Sequence, residues 1–119
     1  MADYKLGAIE AKFADLIWNN EPLSSRELVA LCEKELNWKK STTYTILRRL
    51  CERGIFKNKD GVVTSLITKT EFHSLQSEEF VEETFNGSFP QFLAAFTKRK
   101  KLSEQDIEEL QRFIDENRR

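Results

Sequence analysis

The residues best placed to do chemistry lie in one run: Ser41-Thr42-Thr43-Tyr44-Thr45-Ile46-Leu47-Arg48-Arg49-Leu50-Cys51-Glu52-Arg53-Gly54. Their spacing predicts a helix. Ser41 is the expected N-cap, because a hydroxyl there accepts an orphan amide of the first turn. Gly54 is the expected residue just past the C-terminal end, where a left-handed conformation costs glycine little. Thr43, Ile46, Leu47 and Leu50 repeat at helical spacing and are expected to face a core. Ser41, Thr45 and Arg48 fall on the opposite side, flanked by Tyr44 and Arg49. Hydroxyls lead this outer stripe and guanidinium groups follow. A helix entering a DNA major groove suits that order, with short donors and acceptors at its N-terminus and cations further on. The solvated face of an ordinary amphipathic helix has the same stripe, so its surroundings must decide between the two.

Charge favours the first reading. The net charge of the 119 residues is −1, but it is unevenly spread. Residues 39 to 59 carry Lys39, Lys40, Arg48, Arg49, Arg53, Lys57 and Lys59 against a single acid, Glu52. From residue 69 onward acids outnumber bases. A local cationic island in a slightly acidic chain is what phosphate binding needs.

Flanking elements must hold that helix. Ile9, Phe13, Leu16 and Ile17 repeat on one face, predicting a helix over 6–18 that Asn19-Asn20-Glu21-Pro22 breaks. Ser24 and Glu27 form a capping box that opens a second helix, with Leu28, Leu31, Cys32 and Leu36 on its apolar side. Asn37-Trp38-Lys39-Lys40 is a short connection to the cationic helix, so the pair reads as a helix-turn-helix. After Gly54 the pattern is that of strands: Ile55-Phe56-Lys57, a turn at Asn58-Lys59-Asp60-Gly61, and a return over Val62–Thr68. A basic hairpin in that place reads as a wing, with Lys57 and Lys59 near a flanking phosphate.

From residue 70 the chain turns helical again. Phe72, Leu75, Phe80, Val81 and Phe85 mark one helix, closed by Asn86-Gly87. Phe89, Phe92, Leu93 and Phe96 mark a second, with Pro90 in its first turn. Lys98-Arg99-Lys100-Lys101 reads as a solvated linker. Ser103 caps a third helix whose stripe is Ile107, Leu110, Phe113 and Ile114. Seven of the nine phenylalanines lie here, more rings than three short helices bury among themselves. Self-pairing is the expected solution, through Phe80, Phe85, Phe89, Phe92, Leu93, Phe96, Ile107, Leu110 and Ile114. The rival is a three-helix subdomain folded onto the winged helix. The expected organisation is therefore mainly α with a small β-hairpin: a winged helix-turn-helix over 1–69 and a three-helix dimerisation region over 70–119.

Composition narrows the remaining classes. With 39% hydrophobic and 33% charged residues, no apolar run approaches the roughly 20 residues needed to span a bilayer. No basic region followed by an apolar run opens the chain, so the expectation is a cytoplasmic protein with no membrane insertion. Cys32 and Cys51 sit among apolar neighbours and read as small buried hydrophobes. His73 is the only histidine and has no metal-ligand companion, so neither a metal nor another cofactor is expected. No Ser/His/Asp set, P-loop or framed carboxylate pair is present, and an enzyme is not expected.

These residues resemble the penicillinase-repressor group of winged-helix transcriptional repressors (the BlaI/MecI/CopY type). The resemblance rests on Glu10-x-x-Phe13-x-x-Leu16-Ile17-Trp18, then Trp38, then Thr42-x-x-Thr45-Ile46-Leu47-x-Arg49-Leu50 followed by Gly54. Its more specific part is the tail, Phe85-Asn86-Gly87-Ser88-Phe89 and Leu102-Ser103-x-x-x-Ile107-Glu108-Glu109-Leu110. It implies a homodimer with interlocked C-terminal helices that binds a dyad-symmetric operator and blocks transcription, with an upstream sensor or protease as a further partner. Three departures stand out. The position of Tyr44 is often basic in the β-lactamase repressors. Ala95-Phe96 stands where those repressors carry a cleaved Asn-Phe bond. The paired CxC motifs of the copper-responsive branch are missing.

The candidate DNA-contacting residues are thus Lys39, Lys40, Ser41, Thr42, Tyr44, Thr45, Arg48, Arg49, Lys57 and Lys59. The reading they support is a homodimeric, sequence-specific repressor on double-stranded DNA. The alternative is a winged-helix module for protein interaction without DNA binding.

Overall fold

Helix boundaries in this chain are written mostly in local hydrogen bonds. A computed structural model describes residues 4–118. Among them are six α-helices and three short strands: α1 (Ala8–Asn20), β1 (Leu23–Ser24), α2 (Ser25–Leu36), α3 (Lys40–Glu52), β2 (Phe56–Lys59), β3 (Val62–Ser65), α4 (Lys69–Phe85), α5 (Phe89–Arg99) and α6 (Glu104–Glu116). The chain divides into two compact units between Glu79 and Phe80, inside α4.

In the first unit, the expected capping box opens α2. Ser24 Oγ accepts from the Glu27 amide at 3.0 Å, and Glu27 Oε1 accepts from the Ser24 amide at 3.1 Å. Asn37, left-handed at φ 56°, turns the chain out of α2. Trp38 follows it and stacks on Phe13, with ring centroids 5.4 Å apart. The next helix then starts earlier than expected. Lys39 is the N-cap of α3, with no side-chain bond, and Ser41 already lies within the helix. Packing of Trp38 fixes the entry point and overrides the capping preference of the serine.

The end of α3 follows expectation. Gly54 has φ 78°. The amide of Gly54 bonds the Cys51 carbonyl and that of Ile55 bonds the Leu50 carbonyl, the paired closure of a Schellman motif. Ile55 and Leu50 are both buried beneath it.

The wing differs in detail from its expected form. Lys59 pairs with Val62, so the turn is only Asp60-Gly61. Both residues have positive φ, 53° and 78°, as a two-residue type I′ turn requires. Asn58 and Lys59 therefore belong to β2, and the return strand stops at Ser65 rather than Thr68. Leu23 and Ser24 add a third strand, giving an antiparallel sheet of order β1-β3-β2. Glu21 ties the sheet to the end of α1, since its carboxylate accepts both the amide and the hydroxyl of Ser65 at 2.8 Å. The first helix runs to Asn20, two residues past its expected end.

The core of this unit contains Phe13, Ile17, Leu28, Leu50, Phe56 and Val63, all essentially inaccessible. Phe72, from the start of α4, belongs to it. Its ring meets Tyr4 edge-on at 5.9 Å and Trp18 at 5.5 Å, and the Trp18 indole N–H donates to the Ile67 carbonyl at 3.0 Å.

The second unit is built differently. Asn86 and Gly87, both left-handed, close α4, and Ser88 and Ser103 cap α5 and α6. Phe92 is the hub of its aromatic set, 5.7–6.3 Å from the rings of Phe80, Phe85, Phe89 and Phe96. None of its described residues is buried.

Candidate nucleic-acid interface

The inner face of α3 is anchored by Thr43, Leu47 and Leu50, all buried. Its other side is therefore fixed toward solvent, and Ser41, Thr42, Tyr44, Thr45, Arg48 and Arg49 are all exposed. Lys39 and Lys40 are exposed at its N-terminus. Glu52, its last residue, is the only acid in the helix. On the wing, Lys57 and Lys59 lie two apart in β2 and are also exposed. Period-2 alternation puts them on the face opposite buried Phe56. A shallow groove runs between α3 and β2, lined by Tyr44, Thr45, Leu47, Arg48, Cys51 and Asn58.

The cations are not equally available. Arg48 has no ion-pair partner among the described residues. The Arg49 guanidinium leans back to Glu10, 3.8 Å away on α1. Arg53, part of the cationic island in sequence, is half-buried and donates to the Lys5 carbonyl at 2.6 Å. It supports the N-terminal segment rather than the outer face.

Several hydroxyls are likewise committed. Thr45 Oγ1 donates to the Ser41 carbonyl at 2.9 Å. The Tyr44 hydroxyl donates to Ser25 Oγ at 3.3 Å, and Lys40 Nζ lies 6.0 Å from the centre of the Tyr44 ring. Ser25 has no sequence signature for this contact, because nineteen positions separate it from Tyr44. Only the packing of α2 against α3 reveals it.

Both cysteines are free. Burial pushes the Cys32 thiol above its ordinary value, opposed by a hydrogen bond with Thr43. Burial does the same to half-buried Cys51 in the groove, opposed by a backbone bond at Asn58. Raised thiols are poor nucleophiles at neutral pH. Among the described residues, no group of three or more His, Cys, Asp or Glu could hold a metal ion. No helix among them is long and apolar enough to cross a membrane.

A helix-turn-helix backed by a three-stranded sheet, with a cationic helix face beside a basic hairpin, defines a winged-helix protein. Comparison with known proteins narrows the class. The penicillinase-repressor family model matches residues 6–116, and the chain belongs to that family of transcriptional repressors. The methicillin resistance regulatory protein MecI of Staphylococcus aureus is 24% identical over 116 residues, covering 94% of both chains. The penicillinase repressor of Bacillus licheniformis is 25% identical over 113 residues, covering 92% of this chain and 88% of its own.

Proposed function

We propose that this protein is a homodimeric, sequence-specific repressor that places α3 of each protomer in the major groove of a dyad-symmetric operator. The observation that carries the reading is the outer face of α3. It presents Lys39, Lys40, Ser41, Thr42, Tyr44, Thr45 and Arg48 to solvent, with no acid before Glu52. Lys57 and Lys59 extend the cationic surface onto the wing, where they contact phosphates beside the groove. Arg49 reaches phosphate once it exchanges Glu10 for DNA.

Dimerisation is assigned to the helical region from residue 70 onward. Phe80, Phe89, Phe96, Ile107 and Ile114 are about half exposed in one copy, and Phe85, Phe92, Leu93 and Leu110 adjoin them. A second copy covers these side chains and sets two recognition helices about one turn of DNA apart, the spacing a dyad demands. Modules for protein interaction alone usually lack a basic recognition face, and α3 has one.

The test is selection of bound sites from random duplexes, followed by titration at several salt concentrations. A symmetric site is expected, with log affinity falling linearly against log salt by about 0.9 per phosphate neutralised. Six cations per protomer (Lys39, Lys40, Arg48, Arg49, Lys57 and Lys59) cap the slope near −11 for a dimer, on the order of 0.9 for each. Enrichment of no site, together with no binding in dilute buffer, would refute the reading.

A further inference from the structure

The centre of the recognition face offers no free hydroxyl donor at Tyr44 or Thr45. Of the side chains expected there as hydrogen-bonding readers, two have their donors engaged within the protein. Thr45 gives its hydroxyl hydrogen to Ser41 O at 2.9 Å. Tyr44 gives its own to Ser25 Oγ at 3.3 Å. A phenol ring, a threonine methyl and two hydroxyl oxygens that can now only accept remain to face a partner. The Tyr44 ring is tethered by its hydroxyl to α2, with Lys40 Nζ 6.0 Å from the ring centre, so less side-chain freedom is lost when it docks. Beside it the groove toward β2 is lined by Leu47 and Cys51 as well as by Arg48 and Asn58.

We propose that Tyr44 and Thr45 read thymine, by packing against its C5-methyl group in the major groove, and that Ser25 is the positioning residue that holds the Tyr44 ring for this contact. The inference rests on the operator-binding reading above and names what the middle of that surface recognises. Each major-groove base edge carries a distinct pattern, and the thymine methyl is its one apolar feature. Lys40 and Arg48 lie to either side along α3 and meet phosphate or guanine. A freely rotating polar side chain at position 44 would instead read donors and acceptors.

The experiment replaces single thymines in the selected operator by deoxyuridine, which removes the methyl group and leaves every hydrogen-bonding group in place. At one position per half-site, wild-type affinity should fall about fourfold, the worth of one buried methyl-sized group. Tyr44→Ala together with Thr45→Ser should bind thymine and uracil at that position equally. Ser25→Ala and Tyr44→Phe should each lower the thymine-over-uracil ratio. The double variant should lower it no further, because either change removes the same bond. A general loss of helix stability would weaken all duplexes alike and leave the ratio untouched. If wild type binds the operator with normal salt dependence yet ignores every uracil replacement, this inference falls while the repressor reading stands. If Ser25→Ala keeps the full ratio, its positioning role falls. If no duplex is bound at all, the repressor reading itself fails.

Discussion

Arg48 and Arg49 are neighbours in sequence with different work available to them. Both are legible as cations on a helix flank, but which one is unencumbered depends on Glu10, far away in the chain. If Arg48 reads a base directly, Arg48→Ala should cost roughly 1–3 kcal/mol of binding and relax one operator position. Arg49→Ala should cost less and do so uniformly across sequences, because part of what Arg49 gains from phosphate replaces a pair with Glu10. That exposed pair is itself worth about 0–1 kcal/mol. Anisotropy titrations on matched and mismatched duplexes separate the two, and equal losses with equal loss of specificity would contradict the assignment. Cys32 makes a residue-scale prediction of another kind. Its thiol ionises near the ordinary 9.0 when unfolded and later when folded. Above that pH the unfolded chain has released a proton that the folded chain still holds. Stability present below the unfolded value is therefore lost as pH rises through the folded one. Urea midpoints measured at about pH 8 and about pH 10 should fall for wild type, and fall less for Cys32→Ala.

At the scale of elements, sequence makes legible what is decided within a few residues. Ser24 and Glu27 announce α2, and Gly54 announces the end of α3, because their partners are three or four positions away. The N-terminus of α3 departs from its expected place because Trp38, stacked on Phe13, outweighs the capping preference of Ser41. Strand β1 has no signal in the sequence, since two residues carry no alternation and their partners, Val62 and Val63, lie about forty positions on. The turn of the wing is shorter than expected because Asp60-Gly61 alone satisfies a type I′ hairpin. Two substitutions test the local signals. Ser24→Ala should destabilise by about 1 kcal/mol through loss of the cap. Gly54→Ala meets no atom within 4 Å but forces a side chain to φ 78°, costing roughly 1–2 kcal/mol. Chemical denaturation followed by tryptophan fluorescence reads both. A neutral Gly54→Ala would mean that the chain leaves α3 by a different backbone path.

Over the whole molecule the apolar side chains are divided unequally. Among the described residues, the first unit contains every fully buried one, including Phe72 from α4, whereas the second buries none of its rings fully and leaves Phe80, Phe89 and Phe96 about half exposed. The richness of phenylalanine after residue 70 is plain in the sequence. That Phe72 serves the first core is not, because helical periodicity says which residues share a face and not what that face meets. The dimer proposal follows from the remainder. Phe96, Ile107 and Ile114 are 46–48% exposed in one copy, and exposed large apolar side chains in such number are usually covered by a partner. Introducing one charge there, as Phe96→Asp or Ile114→Asp, should give monomers in sedimentation at concentrations where wild type is a dimer. The tryptophan-reported unfolding of the first unit, to which Trp18 and Trp38 both belong, should scarcely change. Affinity for a single half-site should persist, while affinity for the full operator should drop by roughly 10²–10⁴, the gain that linking two binding modules provides. If these variants stay dimeric, the pairing surface lies elsewhere. If they become monomeric yet bind the full operator as tightly as wild type, one protomer suffices for recognition, and the dyad is not what the protein reads.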